Sequence, residues 1–341
     1  VPDGWKLSGI NGNAGTTSFS LEGTLGKGES LAGSDLALEV SGTDMGRLFE
    51  LPGAARSPEG PFSVTGQLGI DDSRLRVTAI QARAGTLSVD LDADVPWPLD
   101  MSGGQFALRA NGVNITRILP ELAGLELDSD DFDVVAEGKW LDGRISIANG
   151  NVRIGESTLS AIGTLDLPPN LSATDFRIEF HSPDLSQMGT VDGARWGTVP
   201  VDLVSSFAGT SQRLTMDDFT AKLGESSIEG DFTIDFEGDI PRFETTFSSN
   251  TINLKPFQVD PVDDDPAEEN ESDGRLIPDT AFPMEWLEQV EGRFTIHADR
   301  VLLKRMTLQK SRLNGEIRDG SLHVDEIATD GYRGQLVSAL T

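Results

Sequence analysis

Every seventy residues or so, the chain repeats an alternating strand followed by a residue able to cap one helical turn. The caps are Asp44, Asn114, Asp184 and Asn253, spaced by seventy, seventy and sixty-nine positions. Each is followed by an apolar residue (Met45, Ile115, Leu185, Leu254) and by another three positions later (Leu48, Ile118, Met188, Phe257), the i, i+3 face of a single turn. An Asp or Asn oxygen can accept a bond from an orphan N–H of that turn, which is why these residue types suit the position. The preceding strand repeats as Leu36/Leu38/Val40, Phe106/Leu108/Ala110, Phe176/Ile178/Phe180 and Phe243/Thr245/Phe247. One supersecondary unit copied about four times folds as an array in which each copy covers its neighbour's edge.

Within the units the dominant pattern has period two. Leu87, Val89, Leu91, Ala93 and Val95 share one face, while Ser88, Asp90, Asp92 and Asp94 share the other. Ile228, Phe232, Ile234 and Phe236 are separated in the same way from Glu229, Asp231, Thr233 and Asp235. About nineteen such runs are joined by short Gly, Asp and Asn turns, which predicts hairpins and antiparallel pairing. A second repeated phrase places Gly85, Gly155, Gly224 and Gly331 after the strands that begin at Leu75, Ile145, Leu214 and Leu322. Glycine there suits the positive φ of a tight hairpin. Helix is expected only in the capped turns and over Met284–Gln289. The acidic stretch 258–275, with Asp263-Asp264-Asp265-Pro266-Ala267-Glu268-Glu269, carries too little apolar surface to order itself and reads as a disordered insertion. It divides repeating units over 1–257 from a truncated C-terminal β module over 276–341. The first and last strand patterns suggest a segment excised from a longer protein.

Charge and chemistry narrow the function classes. Lys+Arg 27 against Asp+Glu 56 gives a net charge of -29, so nucleic acid and anionic membrane surfaces are repelled. There is no cysteine, hence no disulfide, thiolate metal site or thiol chemistry. His181, His297 and His323 have no partner at metal-ligand or general-base spacing. Gly26-Lys27-Gly28-Glu29-Ser30 sits in a polar turn with no helix after it, unlike a phosphate-binding loop. The run Asp128–Asp133 lacks the glycine and terminal glutamate of a calcium loop. The expectation is a protein that is not an enzyme and needs no cofactor or metal.

The positive signal is an imbalance of surfaces. Many one-sided strands present a long apolar face, and the sequence supplies only single-turn helices to cover it. The face can close in a sandwich, a barrel or solenoid, or can curl into an open trough around an apolar guest. The seventy-residue meander argues against the closed forms other than a sandwich. The expected fold is all-β: an elongated, curved, mostly antiparallel repeating β-groove with short capped helical turns. Its lining is expected from Leu36, Leu38, Val40, Val89, Leu91, Phe106, Leu108, Ile145, Ile147, Phe176, Ile178, Phe180, Leu214, Met216, Ile228, Phe232, Ile234, Phe236, Phe243, Phe247, Phe294, Ile296, Leu322 and Val324.

A resemblance sharpens this. Arg275-Leu276-Ile277-Pro278-Asp279-Thr280-Ala281-Phe282-Pro283-Met284-Glu285-Trp286-Leu287 precedes Gly292-Arg293-Phe294-Thr295-Ile296-His297-Ala298-Asp299-Arg300-Val301. The pair resembles the I-P-D-T, L-x-x-L, strand, A-D-R-L succession of AsmA-like proteins, closely over 274–341 and by pattern alone over the earlier repeats. Tyr332-Arg333 stands where that family often has consecutive glycines. The resemblance implies a periplasmic body in a Gram-negative envelope, anchored in the inner membrane by a helix outside this chain. AsmA-like and TamB-like proteins are similar to bridge-like lipid transfer proteins, whose β-grooves carry phospholipid acyl chains between membranes. The implied partners are therefore phospholipid acyl chains, the inner and outer membranes and envelope proteins. The competing expectation is a structural or assembly scaffold for outer-membrane proteins with an internally packed apolar face. A carbohydrate enzyme on the same scaffold lacks a carboxylate pair in the repeats.

Overall fold

Short turns make each strand fold back on its predecessor, and the chain obeys this almost throughout. The computed structural model describes residues 4–43, 60–98, 102–113, 125–126, 131–166, 171–188, 190–191, 194–195, 198–255, 290–331 and 334–340, apart from positions 173, 239 and 305. By compactness the chain divides into Val1–Ser211 and Gln212–Thr341.

The first unit contains β1 (Gly4–Ala14), β2 (Thr17–Gly26), β3 (Ser34–Gly42), β4 (Phe62–Ile70), β5 (Arg74–Ala84), β6 (Leu87–Pro96), β7 (Gln105–Val113), the two-residue β8 (Leu125–Glu126), β9 (Asp131–Leu141), β10 (Arg144–Ile154), β11 (Ser157–Asp166), β12 (Asp175–Ser182), the two-residue β13 (Thr190–Val191) and β14 (Ala194–Arg195), and β15 (Val201–Gly209). Each long strand pairs antiparallel with the next long strand in sequence. The three short strands form a small sheet of their own. Among the described residues β1 pairs only with β2, so this sheet is open and not a barrel.

The second unit contains β16 (Arg213–Leu223), β17 (Ser226–Asp235), β18 (Arg242–Asn253), β19 (Glu291–Leu302), β20 (Thr307–Arg318), β21 (Ser321–Gly331) and β22 (Gly334–Leu340). Its strands also follow sequence order, with one departure from the hairpin expectation: β18 and β19 are parallel, Arg242 opposite Glu291 and Asn253 opposite Leu302. A parallel neighbour needs a crossover, and residues 254–290 must carry the chain back along a strand about 40 Å long. The C-terminal strands thus join β16–β18 in one compact unit, and the division falls near residue 211, not at the insertion.

Turn chemistry accounts for the connections. Gly85, Gly155 and Gly224 have φ of 58, 57 and 56° in the order Gly85, Gly224, Gly155, the left-handed conformation expected of them. Asp184 caps a 3-10 turn, Leu185–Met188: its Oδ1 accepts from Ser186 N at 3.0 Å, and its carbonyl from Gln187 N at 3.1 Å. Asn253 Oδ1 accepts from Lys255 N at 3.1 Å. The caps at Asp44 and Asn114, the acidic insertion, Met284–Gln289 and Tyr332-Arg333 lie outside the described residues.

A third repeated feature is a β-bulge in the second half of a hairpin pair. The register slips between Leu7 and Ile10, Val77 and Ile80, Ile147 and Gly150, and Met216 and Phe219. Gly9, Ala79, Asp218 and Lys310 take positive φ (85, 51, 53 and 49°) within their strands. A bulge adds twist and bends its strand, and recurrence at one place in each unit bends the sheet there repeatedly. At Ala79 the left-handed backbone carries a Cβ penalty, against which Ala79 N donates to Asp92 Oδ1 at 2.8 Å.

Candidate functional site

Strand register turns the alternation into continuous ladders. In the first unit one row runs Gly12, Phe19, Val40, Val64, Ala82, Val89, Ala110, Val134, Val152, Leu159, Phe180, Leu203, each opposite the next. Every member is apolar or glycine, across twelve strands. A parallel row passes through Leu7, Leu36, Val77, Phe106, Ile147 and Phe176 to Phe207, and a third through Leu21, Leu38, Leu91, Leu108 and Ile178. Ile145 stands opposite Trp140 in a fourth, nearer the strand ends. The residues singled out from the sequence in this unit thus share one face.

The second unit repeats the arrangement. Leu214, Ile234, Phe243, Gly292, Ile317 and Leu322 form one row, and Met216, Phe232, Thr245, Phe294, Gly315 and Val324 the next. Phe247 and Ile296 lie in a third with Phe219 and Leu313, and Ile228 pairs with Ala221 beyond it. Phe236 is the outlier: it follows the end of β17 and is exposed. Sequence reading missed Val64, Val134, Trp140, Val152, Leu203 and Phe207, which complete the rows. Their signal was the same alternation, legible in β4, β9 and β15 and interrupted for Val152 by the bulge in β10, where it slips phase by one residue.

The burial order identifies the character of this face. In a two-layer protein the centre of an apolar face is its most protected part. Here it is the capped rim that is buried, at Phe62, Ala84, Phe132 and Val201; at the opposite end Val95 is buried, whereas Leu25, Ile70, Leu75, Trp140 and Ile145 are half-buried and Trp5 and Leu165 exposed. The three middle rows of the first unit are mainly half-buried, with Leu36, Gly138 and Ser205 as buried exceptions. Of the expected lining residues in both units only Leu36 is buried, Phe236 and Leu322 are exposed, and the rest are half-buried. Half-burial is what neighbours within a single sheet provide, so a second layer over the middle rows is missing among the described residues.

The face is also low in relief. Aromatic rings lie across a glycine of the adjacent strand: a Cβ at Gly138 would come within 3.0 Å of the Phe106 ring, and one at Gly315 within 2.6 Å of the Phe294 ring. Phe176 stacks on Phe207 with centroids 4.8 Å apart, and Phe106 meets Trp140 at 4.6 Å. Such pairs bury ring area within the sheet and leave one ring surface outward.

The opposite face is charged. Arg74 pairs with Asp94, and Arg76 with Asp71 at 2.6 Å. The Asp71 carboxyl is held below the ordinary carboxylate range, first by the Ser73 N–H and then by Arg74 N–H and the nearby guanidinium groups. A shallow concavity of about 590 Å³ is lined by polar-face residues such as Arg76, Asp94, Glu137 and Lys139 together with Val77, Ala93 and Phe106 of the second row. Among the described residues no three His, Cys, Asp or Glu side chains are grouped as metal ligands. No described helix is long and apolar enough to cross a membrane. His181 Nδ1 lies 2.7 Å from Asp202 Oδ1 in an exposed pair.

Comparison with protein-family models, with curated proteins and with solved structures found no match.

Proposed function

We propose that the apolar face is a lipid-carrying surface, along which phospholipid acyl chains lie across the strands while the charged face meets water. The supporting observation is the half-exposed middle of the ladders: apolar rows continuous over twelve strands, buried at the capped rim and open at their centres. Acyl-chain burial contributes about 0.8 kcal/mol per CH₂, and the rows offer similar apolar contact at each strand, so a chain is held without one preferred seat. No bond is made or broken in this reading. Together with the resemblance to AsmA-like proteins, it supports reading the chain as a periplasmic part of a path between inner and outer membranes.

The test is bound phospholipid, measured by native mass spectrometry and extraction on the purified chain, on Ile178→Asp and on Glu179→Ala. Ile178 is in the third row, and Glu179 points to the polar face. A carboxylate at 178 is hydrated on the open face but costly to desolvate against acyl chains. Ile178→Asp is expected to fold, with a stability loss of no more than about 2 kcal/mol, and to lose lipid. Glu179→Ala is expected to retain both. A folded Ile178→Asp protein with its full lipid complement would refute the reading.

A further inference from the structure

We propose that lipid headgroups sit at the rim opposite the capped connections, and that this rim selects headgroups carrying both a phosphate and an ammonium over headgroups that carry negative charge alone. The inference rests on the acyl-chain reading of the apolar face and names the class of lipid. The two rims differ in access. The capped rim is closed by buried Phe62, Ala84, Phe132 and Val201, whereas Leu75, Trp140 and Ile145 at the other end are half-buried. A charged headgroup cannot follow its acyl chains onto an apolar surface without losing hydration, so it lies at the edge that water reaches.

That edge carries one arginine per repeat. Arg74, Arg144 and Arg213 are the first residues of β5, β10 and β16, spaced by seventy and sixty-nine positions. Each faces an aspartate on the following strand, Asp94, Asp166 or Asp235. Arg74 Nε donates to Asp94 Oδ1, and Arg213 Nη2 donates to Asp235 Oδ2 at 2.9 Å. Arg144 Nε stands 3.8 Å from Asp166 Oδ1, too far for a hydrogen bond. The Asp235 carboxyl is held below the ordinary carboxylate range, first by the Glu237 N–H and then by Arg213, so it stays ionised at neutral pH. The arginine side chains are 33, 42 and 55% exposed, which leaves guanidinium N–H groups open to a phosphate. Beside them an ammonium meets Asp94 or Asp235, both partly exposed. A surface pair of this kind contributes little to stability, and its members can exchange partners. In the β4–β5 and β9–β10 turns of this rim, Asp71, Asp72 and Asp142 outnumber the flanking Arg76 and Lys139. A purely anionic headgroup therefore meets net repulsion, whereas a zwitterion satisfies both members of a pair.

The experiment incubates the purified chain with vesicles of phosphatidylethanolamine and phosphatidylglycerol in equal amounts, with identical acyl chains, and measures both lipids on the protein after separation. Phosphatidylethanolamine is expected in about threefold excess or more at low salt, falling toward equality in about 0.5 M salt, where exposed charges are screened. The double substitution Asp94→Asn and Asp235→Asn is expected to raise bound phosphatidylglycerol and remove most of the excess. Equal binding of the two lipids at low salt would overturn the inference and leave the acyl-chain reading standing. So would an excess that salt does not reduce, or one that the folded double variant keeps. Should that variant fail to fold, the salt series on the unaltered chain decides alone. Retention of neither lipid would overturn the acyl-chain reading and this inference with it.

Discussion

The rim of the first unit's apolar face and its middle are built from the same residue types, yet they do different work. At the capped rim Phe62 and Phe132 are 5 and 4% exposed, and the Ser157 and Ser182 hydroxyls bond each other at 2.8 Å in full burial. Two or three residues along the same strands, Val64, Val134 and Phe180 stand half-open. Burial at the capped rim stabilises the array, whereas the middle rows lack that cover. Hydropathy cannot separate the two regions, because a Phe reads the same in both. Only the presence or absence of covering residues distinguishes them.

The contrast predicts unequal mutations. The largest effect is expected at the rim: Phe132→Asp buries an unpaired carboxylate and removes a packed ring, costing about 3–5 kcal/mol and unfolding the first unit in a urea titration. If Phe132→Asp proves no worse than Ile178→Asp, the distinction between rim and middle collapses. A smaller effect of opposite sign is expected at the bulge. Ala79→Gly relieves a left-handed non-glycine backbone and should gain about 1 kcal/mol despite the greater freedom of glycine when unfolded, seen as a rise in melting temperature. An unchanged or lower melting temperature would remove backbone strain from the description of that bulge. The smallest effect is expected from deleting residues 263–273. The remaining crossover can still span the length of β18 at about 3.3 Å per extended residue, so the melting temperature should stay within about 1 °C and β18 and β19 should remain paired.

Much of this organisation was legible in the residues. Alternation assigned the faces, as Ile178 and Glu179 illustrate, and the repeated glycines located hairpins with positive φ at Gly85, Gly155 and Gly224. The bulges were harder to see because Gly9, Ala79, Asp218 and Lys310 share no side-chain chemistry. Their mark is a phase slip, as in Leu75, Val77, Ile80, Ala82, which interrupts period two without ending the strand. The parallel pairing of β18 with β19 was also hidden. Local turn signals specify antiparallel neighbours, whereas a crossover is decided by where a distant strand finds its ladder partners. The open middle of the face could be inferred from the lack of covering helices, but its extent depends on register between strands far apart in sequence.

The most direct measurement of the open face uses Trp140, whose ring meets Phe106 on the ladder side of β9. In a Trp5→Phe background, fluorescence is recorded with bound phospholipid carrying brominated or ordinary acyl chains. Bromine quenches at contact, so brominated chains should lower the emission, and Trp140→Phe should remove most of that difference. Trp97→Phe, at a turn where the indole N–H donates to the Ser30 carbonyl at 2.6 Å, should leave the difference intact. Equal emission with brominated and ordinary chains while phospholipid is demonstrably bound would contradict the account, because the lipid would then lie somewhere other than the apolar ladders.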